Sequence, residues 1–151
     1  SENTEVQQSS ADLKSGNMFY IVRDVADLQL KAGDYVTQLK QTQTELETAV
    51  SEKDTSQLQS AAMQLQQQLK GFNQTLSGLN LKSQEVDQVR SNLMNANQQA
   101  LASPFLNGQM DFSQVDFQKL EKQMGNIQSE MIKLAAMMIP EKQSQAAEQE
   151  S

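Results

Sequence analysis

Carboxylates are the side chains in this sequence with the best chemistry for holding a metal. Asp24 and Asp27 lie three residues apart, and Glu45 and Glu47 lie two apart. A carboxylate-bridged di-iron site in a helical bundle also needs Glu-x-x-His pairs that project into the core. The chain has no histidine, so this site is excluded. We expect these four carboxylates to lie on solvated helix faces.

Methionines form the second group of potential ligands. Four of the eight lie in or beside the last apolar stripe, at Met124, Met131, Met137 and Met138. Methionine clusters can hold soft metals, and methionine-rich surfaces can act as adaptable binding grooves. Met124 and Met131 have the spacing of core positions, whereas Met137 lies off the stripe. We therefore expect no metal and no cofactor, and keep Met137 as a candidate contact residue.

The sequence also lacks the usual catalytic constellations. It has no histidine base and no cysteine nucleophile, and its six glycines are scattered singly rather than grouped in a phosphate-binding loop. Tyr20 and Tyr35 have no activating partner nearby in the sequence. We predict that the protein is not an enzyme.

The charge balance narrows the partners further. The chain carries 12 basic and 19 acidic residues, for a net charge of −7. A duplex-binding protein needs clustered Lys and Arg to displace counterions from phosphates, so nucleic acid is not an expected partner. No apolar run approaches the ~18 residues that a transmembrane helix requires. The partners that remain are another protein or a second copy of the chain.

Apolar residues recur at alternating spacings of 3 and 4 in four segments. The glutamine-rich stretch LQSAAMQLQQQLKGFNQTLSGL, residues 58–79, shows it most clearly. A repeat of about 3.5 residues places the apolar side chains on one stripe of a helix. The four stripes are Met18, Ile21, Val25, Leu28, Ala32, Tyr35, Leu39, Thr42, Leu46 and Ala49; Leu58, Ala62, Leu65, Leu69, Phe72, Leu76 and Leu79; Val86, Val89, Leu93, Ala96 and Ala100; and Phe117, Leu120, Met124, Ile127, Met131, Leu134 and Met138.

Capping residues predict where these helices begin and end. We expect Asp54 to cap the second helix and Ser83 the third, with Asp111 or Ser113 capping the fourth. The first helix should continue across Gly33, because the stripe keeps its register there. The predicted helix ends are Gly78-Leu79-Asn80, Ser103-Pro104 and Pro140.

Four amphipathic helices with short connections predict an all-α domain. The simplest arrangement is an up-down-up-down four-helix bundle with a long first helix. The alternative is an elongated three-helix coil of spectrin-repeat shape, with the second and third helices end to end. We place a flexible polar tether at residues 1–11, the bundle at 12–139 and a disordered polar tail at 140–151.

The polar opening segment bears on location. It has no basic-then-apolar signal pattern, and a short Ser/Gln/Asn tether before a folded domain fits a mature secreted protein or a lipoprotein with its lipid tether upstream of Ser1. An extracytoplasmic location, periplasmic or at the bacterial surface, is favoured. A trimmed chain is the third interpretation, and it leaves a cytoplasmic location open.

Surplus apolar residues concentrate at one end of the predicted bundle, which we call the pole. The start of the first helix, the end of the fourth and the connection around Leu81 meet there. Two segments, residues 18–22 and 134–139, are apolar all round the helix. These residues either cap the core against one another or form a contact surface. The candidate partner-binding residues are Phe19, Tyr20, Val22, Leu81, Met137 and Ile139.

Two functional hypotheses follow. In the first, the protein is a non-enzymatic adaptor, assembly factor or secretion accessory factor that binds a partner protein, or itself, through the apolar pole. In the second, it is an acidic immunity or inhibitor protein that masks a basic site on a toxin or enzyme. Salt separates them, because charge steering is screened and apolar burial is not.

The stripes themselves can be tested by placing a charge in them. Leu69→Asp and Ile127→Asp should each unfold the domain or nearly so, because an unpaired buried carboxylate costs several kcal/mol against a total stability of about 5–15 kcal/mol. Thermal denaturation followed by circular dichroism measures the effect. A variant that melts within a few degrees of the parent would show that its stripe is not buried.

Overall fold

Four α-helices account for most of the computed structural model, which describes residues 12–107, 113 and 115–139. They are α1 (Met18–Ser51), α2 (Thr55–Ser77), α3 (Gln84–Leu101) and α4 (Phe117–Ala136), with a short 3₁₀ helix at Pro104–Leu106. The described residues contain no β-strand, so the all-α prediction is confirmed. The predicted tether (1–11) and tail (140–151) lie outside the described residues.

Consecutive helices pack side by side as a four-helix bundle. Tyr35 of α1 stacks on Phe72 of α2, with ring centroids 5.4 Å apart. Between α2 and α3, Asn97 Nδ2 donates a hydrogen bond of 2.8 Å to Asn73 Oδ1. Asn92 Nδ2 of α3 donates to Glu130 Oε1 of α4 over 2.9 Å. Because Asn97 lies well inside α3 and bonds to Asn73 within α2, these two helices lie side by side, and the spectrin-like arrangement, which needs them end to end, is not adopted.

The predicted stripes supply the core. Every stripe residue of α2 and α3 is buried, and so are most of those of α1 and α4. Tyr35, Phe117 and Met131 are half-buried and pack against the core. Met18 and Met138 were expected in the stripes but are 37% and 40% exposed. The reason is positional, because Met18 opens α1 and Met138 lies beyond the last residue of α4.

Most of the predicted caps are confirmed. Asp54 and Ser83 accept hydrogen bonds from the backbone N–H groups of Gln57 and Val86, and α1 is continuous across Gly33.

The predicted cap of α4 was wrong. The helix begins at Phe117 with Asp116 as its cap, and Asp116 Oδ1 accepts from Lys119 N at 3.1 Å. Ser113 lies before it, and Asp111 falls outside the described residues.

α1 is much longer than the helices that cover it. Its 34 residues span about 51 Å at 1.5 Å per residue, against about 27 Å for the 18 residues of α3. Beyond the end of α3, the α3–α4 connection packs on α2. Phe105 and Leu106 are buried there, and Gln66 Nε2 of α2 donates to the Leu106 carbonyl at 3.3 Å.

Near the N-terminal end of α1, a buried carboxylate holds the α2–α3 connection against the helix. Asp24 is 1% exposed, which corrects the expectation of a solvated side chain. Its Oδ2 atom accepts hydrogen bonds from Lys82 N (2.8 Å), Ser83 N (2.6 Å) and Ser83 Oγ (2.7 Å). One carboxylate therefore fixes the α2–α3 connection and the N-cap residue of α3 onto α1.

The C-terminus of α2 is completed by a side chain from α3. Arg90 is buried, and its Nη1 atom donates to the carbonyls of Leu79 (2.6 Å) and Leu76 (3.3 Å). Asp87 Oδ1 holds the other edge of the guanidinium. A cation at a helix C-terminus satisfies carbonyls that have no partner within the helix.

Replacing Asp24 tests whether this buried carboxylate contributes more to stability than an ordinary surface carboxylate. Asp24→Ala leaves buried N–H groups without an acceptor, so we expect a loss of about 2–4 kcal/mol of unfolding free energy. Chemical denaturation provides the measurement. Asp27→Ala is the matched control, because it removes only a half-exposed pair with Lys31 and should change stability by about 1 kcal/mol or less. Equal effects at the two positions would contradict a structural role for Asp24.

Gly71 is required by the ring that packs over it. A Cβ atom built at Gly71 would lie 2.9 Å from the Tyr35 hydroxyl oxygen, and Tyr35 is held in place by its stacking on Phe72. Gly71→Ala should therefore lower stability by about 1–3 kcal/mol through overpacking. Gly125→Ala in α4 meets nothing within 4 Å, so it should raise stability by up to ~1 kcal/mol through helix propensity. Denaturation midpoints that rise for both variants would refute the packing argument.

Candidate functional site

The pole is built around the segment that precedes α1. Lys14 N donates to the Lys82 carbonyl and Gln84 N donates to the Lys14 carbonyl, each over 2.8 Å. Gly16 N donates to Glu85 Oε2 at 2.7 Å, and Gly16 has a positive φ of 75°, a conformation that glycine adopts without strain. These bonds join the start of α1 to the start of α3, so this end of the bundle is held by several independent contacts.

The six candidate residues of the pole differ in accessibility. Leu81 is fully buried in the core, which removes it from any contact surface. Met137 and Tyr20 are half-buried, and Met137 packs against the core. Phe19, Val22 and Ile139 are exposed. Phe19 and Tyr20 are brought together, with ring centroids 6.1 Å apart.

A stripe of apolar side chains runs along the solvent side of α1. Phe19 is 75% exposed and Leu30 is 82% exposed, with Val22 and Ala26 exposed between them. Their spacings of 3, 4 and 4 residues keep all four on one side of the helix. We call these four residues the outer face of α1. The opposite side carries the buried stripe, so the first half of α1 is apolar on two sides.

Sequence reasoning found Phe19 and Val22 but missed Ala26 and Leu30. The signal that could have found them is the same spacing that identified the core stripes. Leu30 stands between polar neighbours, Gln29 and Lys31, so it belongs to no continuous apolar segment.

An open cleft borders the outer face. Its volume is about 470 Å³, and it lies between α1 and the turn that ends α2. Ala26 and Leu30 supply apolar wall, and Gly78 and Asn80 form the far side. The charged residues of its lining are Arg23, Asp27 and Lys31.

A second cleft of about 360 Å³ lies between α3 and α4. It is lined by polar side chains, including Asn92, Asn126 and Ser129. The buried carboxylate of Glu130 lies in this lining and accepts from Asn92 Nδ2 and Lys133 Nζ, each at 2.9 Å. Both carboxylate oxygens are thus bonded within the chain, and the bond from Asn92 joins α3 to α4.

Metal chemistry finds no support in the described residues. Across residues 12–107, 113 and 115–139, no group of three acidic side chains is placed to hold an ion. Glu45 and Glu47 are exposed on α1, as expected. The exposed side chains of Phe19 and Leu30 make the outer face of α1 the candidate site, and its chemistry is that of apolar contact flanked by charge.

Comparison with known proteins identifies a family for this chain. A family model described as uncharacterised lipoprotein PM1805 matches residues 5–143, whereas no curated protein and no solved structure matches the chain. Lipoproteins are held at a membrane by acyl chains, so the match indicates a membrane-tethered, extracytoplasmic protein. In the part of the chain that the structure describes, no helix is long and apolar enough to cross a membrane. The chain belongs to the uncharacterised lipoprotein PM1805 family.

Proposed function

We propose that this protein is a non-enzymatic interaction protein of the periplasm or cell surface, tethered by lipid upstream of Ser1, that binds a partner protein through the outer face of α1. The observation that carries this proposal is the alignment of Phe19, Val22, Ala26 and Leu30 on the solvent side of a helix whose opposite side is buried. Single exposed apolar residues are ordinary, but an aligned set is typical of a contact surface.

The support beneath the outer face favours tight binding. Between its members lie core residues, such as Val25 and Leu28, that are fully buried. Asp24 fixes the same turns of α1 to the α2–α3 connection. A rigid helix loses little conformational entropy when a partner covers it, so more of the contact energy appears as affinity.

Phe19 and Leu30 are the expected hot spots of this surface. Large side chains buried at an interface can each contribute 2 kcal/mol or more to binding, whereas exposed side chains contribute within about 0.5 kcal/mol to folding. Val22 and Ala26 supply the smaller contacts between them. The exposed part of the pole around Ile139 extends the apolar area on α4.

Photocrosslinking in cells that contain the native envelope can test the proposal. A photoreactive phenylalanine analogue at Phe19 should form an adduct with protein, and adding Leu30→Ser should reduce the yield by about tenfold or more while leaving the melting temperature nearly unchanged. Immunoblotting of the tethered full-length protein gives the readout.

The matched control uses Met63, which is 56% exposed on α2. Met63→Ser should leave the Phe19 adduct intact, and the photoreactive analogue placed at Met63 should give little adduct. Adducts of equal yield at both positions, or adducts with lipid alone at Phe19, would overturn the proposal.

A further inference from the structure

Four charged residues beside the outer face of α1 alternate in sign. Arg23, Asp27, Lys31 and Asp34 are spaced 4, 4 and 3 residues apart, so they share one flank of the helix. Lys31 Nζ lies 3.3 Å from Asp27 Oδ1, and Arg23 and Asp34 are exposed. From Arg23 to Asp34 the signs are +, −, +, −, and in the opposite direction they are −, +, −, +. The flank is therefore complementary to a second copy of itself that runs in the opposite direction.

We infer that two copies of this chain associate antiparallel through the outer faces of α1. The two-fold axis that relates them crosses the pair at the level of residues 28 and 29 along the helix. The inference rests on the proposed function and names its partner. With the axis there, Arg23 faces Asp34 of the second copy, and Asp27 faces Lys31 of the second copy. The two-fold axis repeats each pairing, because it brings the same flank of both helices together. A parallel pair would instead place like charges opposite each other.

Part of the outer face fits the same axis. The two copies of Leu30 lie about 3–5 Å apart along the helix direction, at 1.5 Å per residue, and so contact each other. Val22 of the second copy lies level with residues 35 and 36, less than one turn beyond Gly33, where a Cβ atom would meet nothing within 4 Å. Ala26 and Gly33 are small, so they allow the helices to approach on either side of Leu30.

The lipid tether strengthens such an association. Chains held on one membrane meet at a higher effective concentration than free chains, so an interface of moderate size suffices. The net charge of −7 makes two copies repel each other overall. At the interface, the opposite charges of the two flanks attract each other.

Charge reversal tests the pairing in the full-length chain. Arg23→Glu with Lys31→Glu makes the flank wholly acidic, and Asp27→Lys with Asp34→Lys makes it wholly basic. Each double variant should weaken self-association by roughly a hundredfold, because like charges then face each other. An equimolar mixture of the two should recover dimers. Sedimentation equilibrium over a concentration series gives the dissociation constants.

The control reverses the same number of charges elsewhere on α1. Glu45→Lys with Glu47→Lys changes two exposed side chains far from the axis and should leave the dimer unchanged. A parent chain that stays monomeric throughout, or dimers that persist in both flank variants, would refute the inference.

Cysteine pairing tests the direction, since the chain has no cysteine of its own. Under mild oxidation, a mixture of Arg23→Cys and Asp34→Cys chains should form the mixed disulfide far faster than either chain pairs with itself. Faster pairing of each variant with itself would indicate parallel helices and overturn the inference.

The photocrosslinking test separates this inference from the proposed function. Adducts from Phe19 at twice the mass of the chain support both. Adducts with a different protein, together with a monomeric parent chain, leave the proposed function standing and refute self-association. A lack of any protein adduct refutes both.

Discussion

The length of α1 governs how both ends of the bundle are built. A helix of 34 residues cannot be covered by partners of 18 to 23 residues, so each end needs cover from elsewhere. Near the start of α1 the cover is polar, supplied by the bonds of Asp24 to Lys82 and Ser83. Beyond the end of α3, Phe105 and Leu106 are buried in a connection that is bonded to α2. Neither feature covers the solvent side of the first half of α1.

The polar cover explains why an apolar surface is found at the pole. Asp24 accepts hydrogen bonds from backbone N–H groups of the α2–α3 connection. Without Asp24, these N–H groups would be buried without an acceptor. Leu81 enters the core as part of that connection, so the core at this end is closed without Phe19, Val22 or Leu30. Apolar capping therefore does not account for Phe19 or Leu30, which are 75% and 82% exposed.

Helix positions and most core residues could be predicted from the sequence, because apolar periodicity reports which side of a helix is buried. Asp24, Arg90 and Gly71 could not. Their roles depend on atoms far away in the chain, such as the backbone of Ser83 for Asp24 and the ring of Tyr35 for Gly71. Asp116 was missed for a local reason, since several capping residues compete in the segment before α4. For the candidate site, periodicity was informative but was applied only to the buried side of α1.

The bonds of Lys14 and Gly16 to the start of α3 have a mechanical consequence under the proposed attachment. Tension on a tether upstream of Ser1 would be transmitted to Lys14 and Gly16 before it reaches α1. The load would pass to the start of α3 through Gln84 and Glu85, and to the α2–α3 connection through Lys82, which Asp24 holds on α1. These bonds would carry part of the load, so the helix that carries the outer face would keep its shape while the lipid anchor moves with the membrane.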